Sequence, residues 1–231
     1  MDVDQNRIWS YFQNERIDVF SNSTPRLRFL ADEAMKLVKS ESPLALNIGV
    51  GNGFLEEYLL RKGWGVRSLD PCENVIKRLR EKNIEADVGS IELLPYEDIT
   101  FDAVFCSEVL EHLSPEQTDA GLNEVCRVLK TGGIFLGTVP KQENLDDNIV
   151  ICPNCEKIFH RWGHQQSFDE KTLERNFPRG LKVLTVKPKL FIRWKGLNWK
   201  RRIAAFLKLL LFHFGSHGSN ETLYFLAQKT K

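Results

Sequence analysis

The stretch Leu44-Ala45-Leu46-Asn47-Ile48-Gly49-Val50-Gly51-Asn52-Gly53 decides the fold. Its first five residues form a short apolar run of strand length, and the run enters a loop with a glycine at every second position. Residues 54–61 then read as a helix, ended by Gly63 and Gly65. Strand, glycine loop and helix in that order place a nucleotide-type ligand at the carboxyl end of a sheet, where glycines let the backbone approach it closely. The dinucleotide fingerprint needs its third glycine one place later, and position 54 is Phe, which disfavours a nicotinamide-linked oxidoreductase.

The same rhythm continues outward. Val66 to Leu69 is a second strand, closed by Asp70-Pro71. Helix 73–82, strand 84–88, strand 101–106, helix 115–129 and strand 134–139 follow. Strict alternation of short apolar strands with amphipathic helices means a parallel sheet covered on both faces. Upstream, residues 3–20 and 25–39 read as two helices, the second opened by Thr24-Pro25. Downstream, residues 169–177 read as a short helix. Residues 181–186 and 222–227 can pair as a late antiparallel hairpin with a long insertion between them. The expected fold class is therefore α/β: a doubly wound, Rossmann-like, mostly parallel sheet with a late antiparallel hairpin. It carries an N-terminal helical cap (1–40) on a domain of residues 41–231, with inserts at 141–168, a zinc knuckle, and at 190–216, a basic amphipathic segment.

Several motifs recur in order. They are Gly49 to Gly53, Asp70, Leu94-Pro95-Tyr96 before Phe101-Asp102, Ser107-Glu108-Val109-Leu110-Glu111-His112-Leu113, and Val128-Leu129-Lys130-Thr131-Gly132-Gly133. Together they resemble the class I S-adenosylmethionine-dependent methyltransferases, of the subgroup that includes quinone and many small-molecule methylating enzymes. The resemblance covers roughly residues 40 to 140. It implies S-adenosylmethionine as cofactor, held by Asn47, Gly49, Gly51 and Gly53 of the loop, with Gly49 and Gly51 against its methionine part and Asp70 on the ribose hydroxyls. Ser90 and Ile91 would lie by the adenine, and Ser107 near the cofactor after strand four. Two positions depart from the family pattern. Asn47 stands where an acid is usual at the start of the loop, and Ser90 where Asp is usual beside the adenine; both weaken the charge complement to a cationic cofactor.

Glu108 and His112 are four residues apart, so a helical turn would put them on one face toward the pocket mouth. His112 is then the candidate general base, with Glu108 beside it; packing alone is the competing explanation. Residues 150–168 hold Cys152, Cys155, His160 and His164, and C-x2-C followed by H-x3-H matches tetrahedral zinc. A bare turn plus a substrate loop would explain the same residues without metal.

Charge is unevenly placed. Lys plus Arg is 32 and Asp plus Glu 31 over 231 residues, which excludes a wholly basic nucleic-acid binder. Yet between Arg175 and Asn220 there are eleven Lys or Arg and no Asp or Glu. Within that stretch, residues 191–214 mix aromatic and basic side chains, which suits packing on the domain, a membrane interface, or a nucleic-acid groove. No apolar stretch reads as a signal peptide, and unpaired cysteines point to a reducing, cytoplasmic home, with a membrane-peripheral variant. The expected function is methyl transfer, to an oxygen of a small, sugar- or lipid-linked acceptor. An RNA methyltransferase and a catalytically silent cofactor-binding protein are the alternatives.

Overall fold

The computed structural model of the chain describes residues 5–215 and 221–230. Positions 3 and 4 of the expected first helix and residue 216 of the basic insert lie outside them. The main sheet has seven strands: β1 (Leu44–Ile48), β2 (Gly65–Asp70), β3 (Glu85–Val88), β4 (Phe101–Ser107), β5 (Leu129–Pro140), β8 (Leu181–Lys189) and β9 (Thr222–Lys229). Their order is β3-β2-β1-β4-β5-β9-β8. The first five are parallel, while β9 runs antiparallel to β5 and to β8. A separate two-stranded hairpin pairs β6 (Ile149–Ile151) with β7 (Ile158–His160).

The central strands are buried on both faces, so they read as continuous apolar runs rather than alternating ones. Successive side chains still point to opposite sides. Ala45, Ala103 and Phe105 face α2 (Thr24–Leu37) and α3 (Phe54–Arg61), where Leu30, Ala34, Leu55 and Leu59 complete one core. Leu46, Val104 and Cys106 face α5 (Pro115–Val128), whose Leu122, Val125 and Val128 complete another. α4 (Glu73–Glu81) closes a third cluster with Val75, Ile76 and Leu79 against Val50, Ile84 and Ala86. Ser114 and Gln117 form a reciprocal capping box ahead of α5, with Pro115 at its first turn, a cap of about 1 kcal/mol.

Three local expectations change. The first helix does not run to residue 20. It is α1 (Gln5–Glu15), broken where Arg16 leaves the helical region at φ −132°, and followed by a 3-10 helix at Ile17–Ser23. Ile17 is exposed in consequence, while Phe20 turns inward to line the cavity described below. The 141–168 insert contains the β6–β7 hairpin, which its polar composition concealed. α6 (Glu170–Arg175) follows it, and the late insertion holds a full helix, α7 (Trp199–His213).

Chain order reverses between β1 and β4, because β2 and β3 lie on one side of β1 and β4 on the other. Parallel α/β sheets bind ligands in the crevice beyond the carboxyl ends at such a switch point.

Candidate functional site

A cavity of about 750 Å³ opens there, lined by the glycine loop, the ends of β2 and β4, and the N-terminal cap. Backbone builds its floor. Gly49 has φ +81°, and a Cβ there would meet Val109 Cγ2 at 2.5 Å. Gly51 has φ +62°, and a Cβ would press on Phe20 at 3.1 Å. Both positions therefore require glycine, for backbone angle and for space.

Asp70 ends β2 and is 1% exposed. Its Oδ2 accepts from Val50 N and Gln13 Nε2, both at 3.0 Å, and its Oδ1 from Cys72 N at 2.9 Å. Burial pushes this carboxyl above its ordinary range, while those three donors and Arg78 pull it back. Sequence reasoning did not foresee Gln13, because nothing in α1 marks one glutamine as a partner for an acid 57 residues away. Gln13 Oε1 is buried without a hydrogen-bond partner and lines the same cavity.

Of the expected cofactor residues, Gly49, Gly51, Asp70, Ser90, Ile91 and Ser107 line the cavity. Gly53 is not among the lining residues; it caps α3 at φ +81°. Asn47 does not line it either. Its Nδ2 donates to Glu56 Oε1 at 2.7 Å, and Ser68 Oγ donates to the same oxygen at 2.9 Å. Glu56 is fully buried, and burial raises its carboxyl above the usual range. The missing acid at position 47 thus has a counterpart on α3, behind the loop. Glu92, unnamed by sequence reasoning, adds a carboxylate beside Ser90 and Ile91; Gln117 Nε2 donates to its Oε1 at 2.5 Å.

The other end of the cavity is different in kind. Glu108 and His112 both line it, but not through helical spacing. Glu108 sits at φ +58° and a 3-10 turn, Leu110–His112, follows. Arg26 from α2 donates to Ser107 Oγ at 2.9 Å and lies 3.8 Å from Glu108 Oε1. Behind them Glu111 is 1% exposed and neither carboxylate oxygen has a hydrogen-bond partner. Burial first, and the Glu108 charge second, push its carboxyl well above the ordinary range. His112 Nδ1 lies 3.2 Å from the Gly163 carbonyl. Burial and the neighbouring His164 lower its pKa to about 3. The ring is therefore neutral, with Nδ1 donating, and its Nε2 lone pair lies 4.0 Å from Glu111 Oε1.

His164 stands beside His112, with ring centroids 4.6 Å apart, and its Nδ1 is hydrogen-bonded to Glu143. Ligand atoms of Glu111, His112 and His164 lie within 4.8 Å of one another, as do those of Glu143, His160 and His164. Either trio could hold a metal ion.

The Cys152, Cys155, His160, His164 zinc set does not assemble. Cys152 and Cys155 sit at the tip of the β6–β7 hairpin. His160 pairs with Ile149 at its base, three residues and roughly 10 Å along the strand from Cys152. His160 Nδ1 accepts from His164 N at 3.0 Å, turning the two histidines toward Glu143 and Glu111 instead. Among the described residues no metal-ligating trio includes a cysteine.

Residues 46–137 match the family described as "Methyltransferase domain". The chain belongs to the class I S-adenosylmethionine-dependent methyltransferases. Among relatives of this methyltransferase chain, the human mitochondrial ubiquinone biosynthesis O-methyltransferase is 33% identical over 196 residues, covering 74% of this chain and 52% of the relative. The chain thus spans about half the length of that relative. Among solved structures, a SAM-dependent methyltransferase from Methanosarcina mazei superposes with a TM-score of 0.61 at 18% identity, covering 85% of this chain and 96% of that one. The Burkholderia thailandensis 1,6-didemethyltoxoflavin-N1-methyltransferase, solved with S-adenosylhomocysteine, gives 0.67 at 15% identity, covering 98% and 87%. S-adenosylmethionine fits the site found here: a glycine-lined floor, a buried carboxylate at the end of β2, and a cavity of sufficient size.

Proposed function

We propose that the chain transfers a methyl group from S-adenosylmethionine to an oxygen of a small acceptor, and that Glu111, His112 and His164 hold a divalent cation beside that oxygen. The observation that carries the cation is the trio itself: ligand atoms of Glu111, His112 and His164 lie within 4.8 Å of one another, and neither Glu111 oxygen has a hydrogen-bond partner. Burial keeps the proton on Glu111 in the free chain, and a divalent ion would displace that proton and meet the carboxylate and imidazole donors together. Mixed carboxylate and imidazole donors suit a borderline divalent ion. The cation expected from the sequence moves, in this reading, from the knuckle to the pocket.

When bound, S-adenosylmethionine supplies an electrophilic methyl on sulfur. The glycine loop and Asp70 hold the cofactor, and Trp9, Gln13 and Phe20 of the cap exclude water from above. The acceptor hydroxyl forms its bond to the methyl carbon as the carbon–sulfur bond breaks. Its proton passes to Glu108, whose Oε1 has no hydrogen-bond partner. Glu111, His112 and His164 would hold the cation, which when bound would supply Lewis-acid activation of the acceptor hydroxyl. His112 acts as ligand rather than base, because an imidazole depressed to about 3 takes up a proton poorly at neutral pH. The name of the human relative, an O-methyltransferase, supports oxygen as the accepting atom.

The test is a labelled-methyl assay with phenolic acceptors, before and after chelation. Turnover that chelator abolishes and added divalent metal restores supports the reading. Undiminished turnover in chelated protein sinks the cation, and absence of turnover with bound S-adenosylhomocysteine favours a silent binding protein.

A further inference from the structure

A surface helix normally turns its apolar stripe inward. α7 does the reverse. None of its residues is buried. Trp199, Ile203, Phe206, Leu207, Leu210 and Phe214 follow one another at helical spacing and are all exposed, Trp199 at 68% and Phe206 at 57%. On a helical wheel they share an arc of roughly 100°. Ala205, Leu209 and Phe212, on the opposite side, are half-buried. Lys200 and Arg202 flank the stripe, Lys195 precedes it, and no acid lies between Glu174 and Glu221.

We propose that α7 is an interfacial helix that docks this chain on an anionic lipid surface. The apolar arc enters the boundary between headgroups and acyl chains, and the flanking cations meet lipid phosphates. Trp199, and Trp194 just before the helix, suit the headgroup level, where an amphipathic ring is favoured. A second copy of the chain fits less well, because pairing two such stripes brings two sets of cations together with no acid to offset them. No helix among the described residues is long and apolar enough to cross a membrane, so α7 lies on the surface. The segment before α7 is pinned to the cap over the cavity. Arg193 Nη1 donates to Ser21 Oγ at 2.8 Å and to Asn22 Oδ1 at 3.2 Å, and Phe191 packs on Phe29 at 5.6 Å between centroids. The docking surface is thereby tied to the element that roofs the pocket. This inference stands apart from the proposed reaction.

Co-sedimentation of the full chain with phosphatidylcholine vesicles, with and without phosphatidylglycerol, tests it. The expected result is binding that needs phosphatidylglycerol and weakens with salt. Phe206→Glu with Leu210→Glu should cut the apparent affinity on the order of tenfold or more. Lys200→Glu with Arg202→Glu should do the same on anionic vesicles. All of these residues are exposed, so S-adenosylhomocysteine binding should stay unchanged and report an intact domain. Wild-type protein that stays in the supernatant with both vesicle types overturns the proposal, as does sedimentation unaffected by either pair of substitutions. A dimer that Phe206→Glu with Leu210→Glu dissociates, without vesicle binding, would assign the stripe to a second copy and overturn it equally.

Discussion

Asp70 and Glu111 are both carboxyl groups 1% exposed, Asp70 lining the cavity and Glu111 behind its Glu108–His112 wall, and their surroundings are opposite. Asp70 is met by three donors, two of them backbone amides held by the glycine loop and the start of α4. Glu111 is met by none; a neutral imidazole stands beside it, burial and then the Glu108 and Glu143 charges push its carboxyl up, and Arg26 only partly offsets them. The first is completed by the chain itself. The second keeps its proton in the free chain and, in the reading proposed above, exchanges it for a cation. A fold can thus prebuild a cofactor cradle from backbone while, in the proposed reading, the cluster behind the other end of the cavity is finished by a ligand.

The widest separation between the two ends should come from the cluster. Glu111→Gln or His164→Ala should lower turnover on the order of a thousandfold, with S-adenosylhomocysteine affinity changed by less than about threefold. Steady-state kinetics beside calorimetry checks this, and equal losses in both quantities would erase the distinction. Asp70→Asn should do the converse. It should weaken S-adenosylhomocysteine about 10- to 100-fold, as expected for loss of a charged hydrogen-bond acceptor, and leave divalent-metal affinity intact.

Gly49→Ala probes the cradle's backbone. With φ +81° and Val109 at 2.5 Å, it should cost about 1–3 kcal/mol of stability, read as a lower denaturation midpoint. The smallest effect concerns the support behind the loop. Glu56 holds its proton more tightly folded than unfolded, so the native state binds more protons above the ordinary carboxylate value of 4.5. Stability contributed by that proton is full below 4.5 and lost as pH rises through the raised value. Glu56→Gln should flatten this part of the pH–stability curve; an unchanged slope would assign it to Asp70 or Glu111.

The cradle was legible in the sequence because its determinants are local. The glycine spacing, the acid at the end of β2 and the strand–helix alternation each occupy a few consecutive residues, and the seven-stranded sheet and late hairpin followed from them. The cluster was legible only in part. Glu108, His112, His160 and His164 were named, but the C-x2-C and H-x3-H spacing pointed to one tetrahedral site. The hairpin register instead carries the cysteines to its tip and leaves the histidines at its base. Glu111 was quoted within a motif but given no role in the site, and Glu143 went unnamed, because what they do depends on burial and on residues tens of positions away. Asn47 was misplaced for the same reason: its partner, Glu56, lies on the following helix rather than in the pocket.

The central claim is that the Glu111 cluster takes a divalent cation independently of the cofactor cradle. Calorimetric titration of chelator-stripped protein with Mn²⁺, in wild type and in Glu111→Gln, tests it most directly. The account predicts one equivalent bound by the wild type and none by the variant, with both binding S-adenosylhomocysteine alike. No Mn²⁺ binding by the wild type, or equal binding by the two proteins, would contradict it.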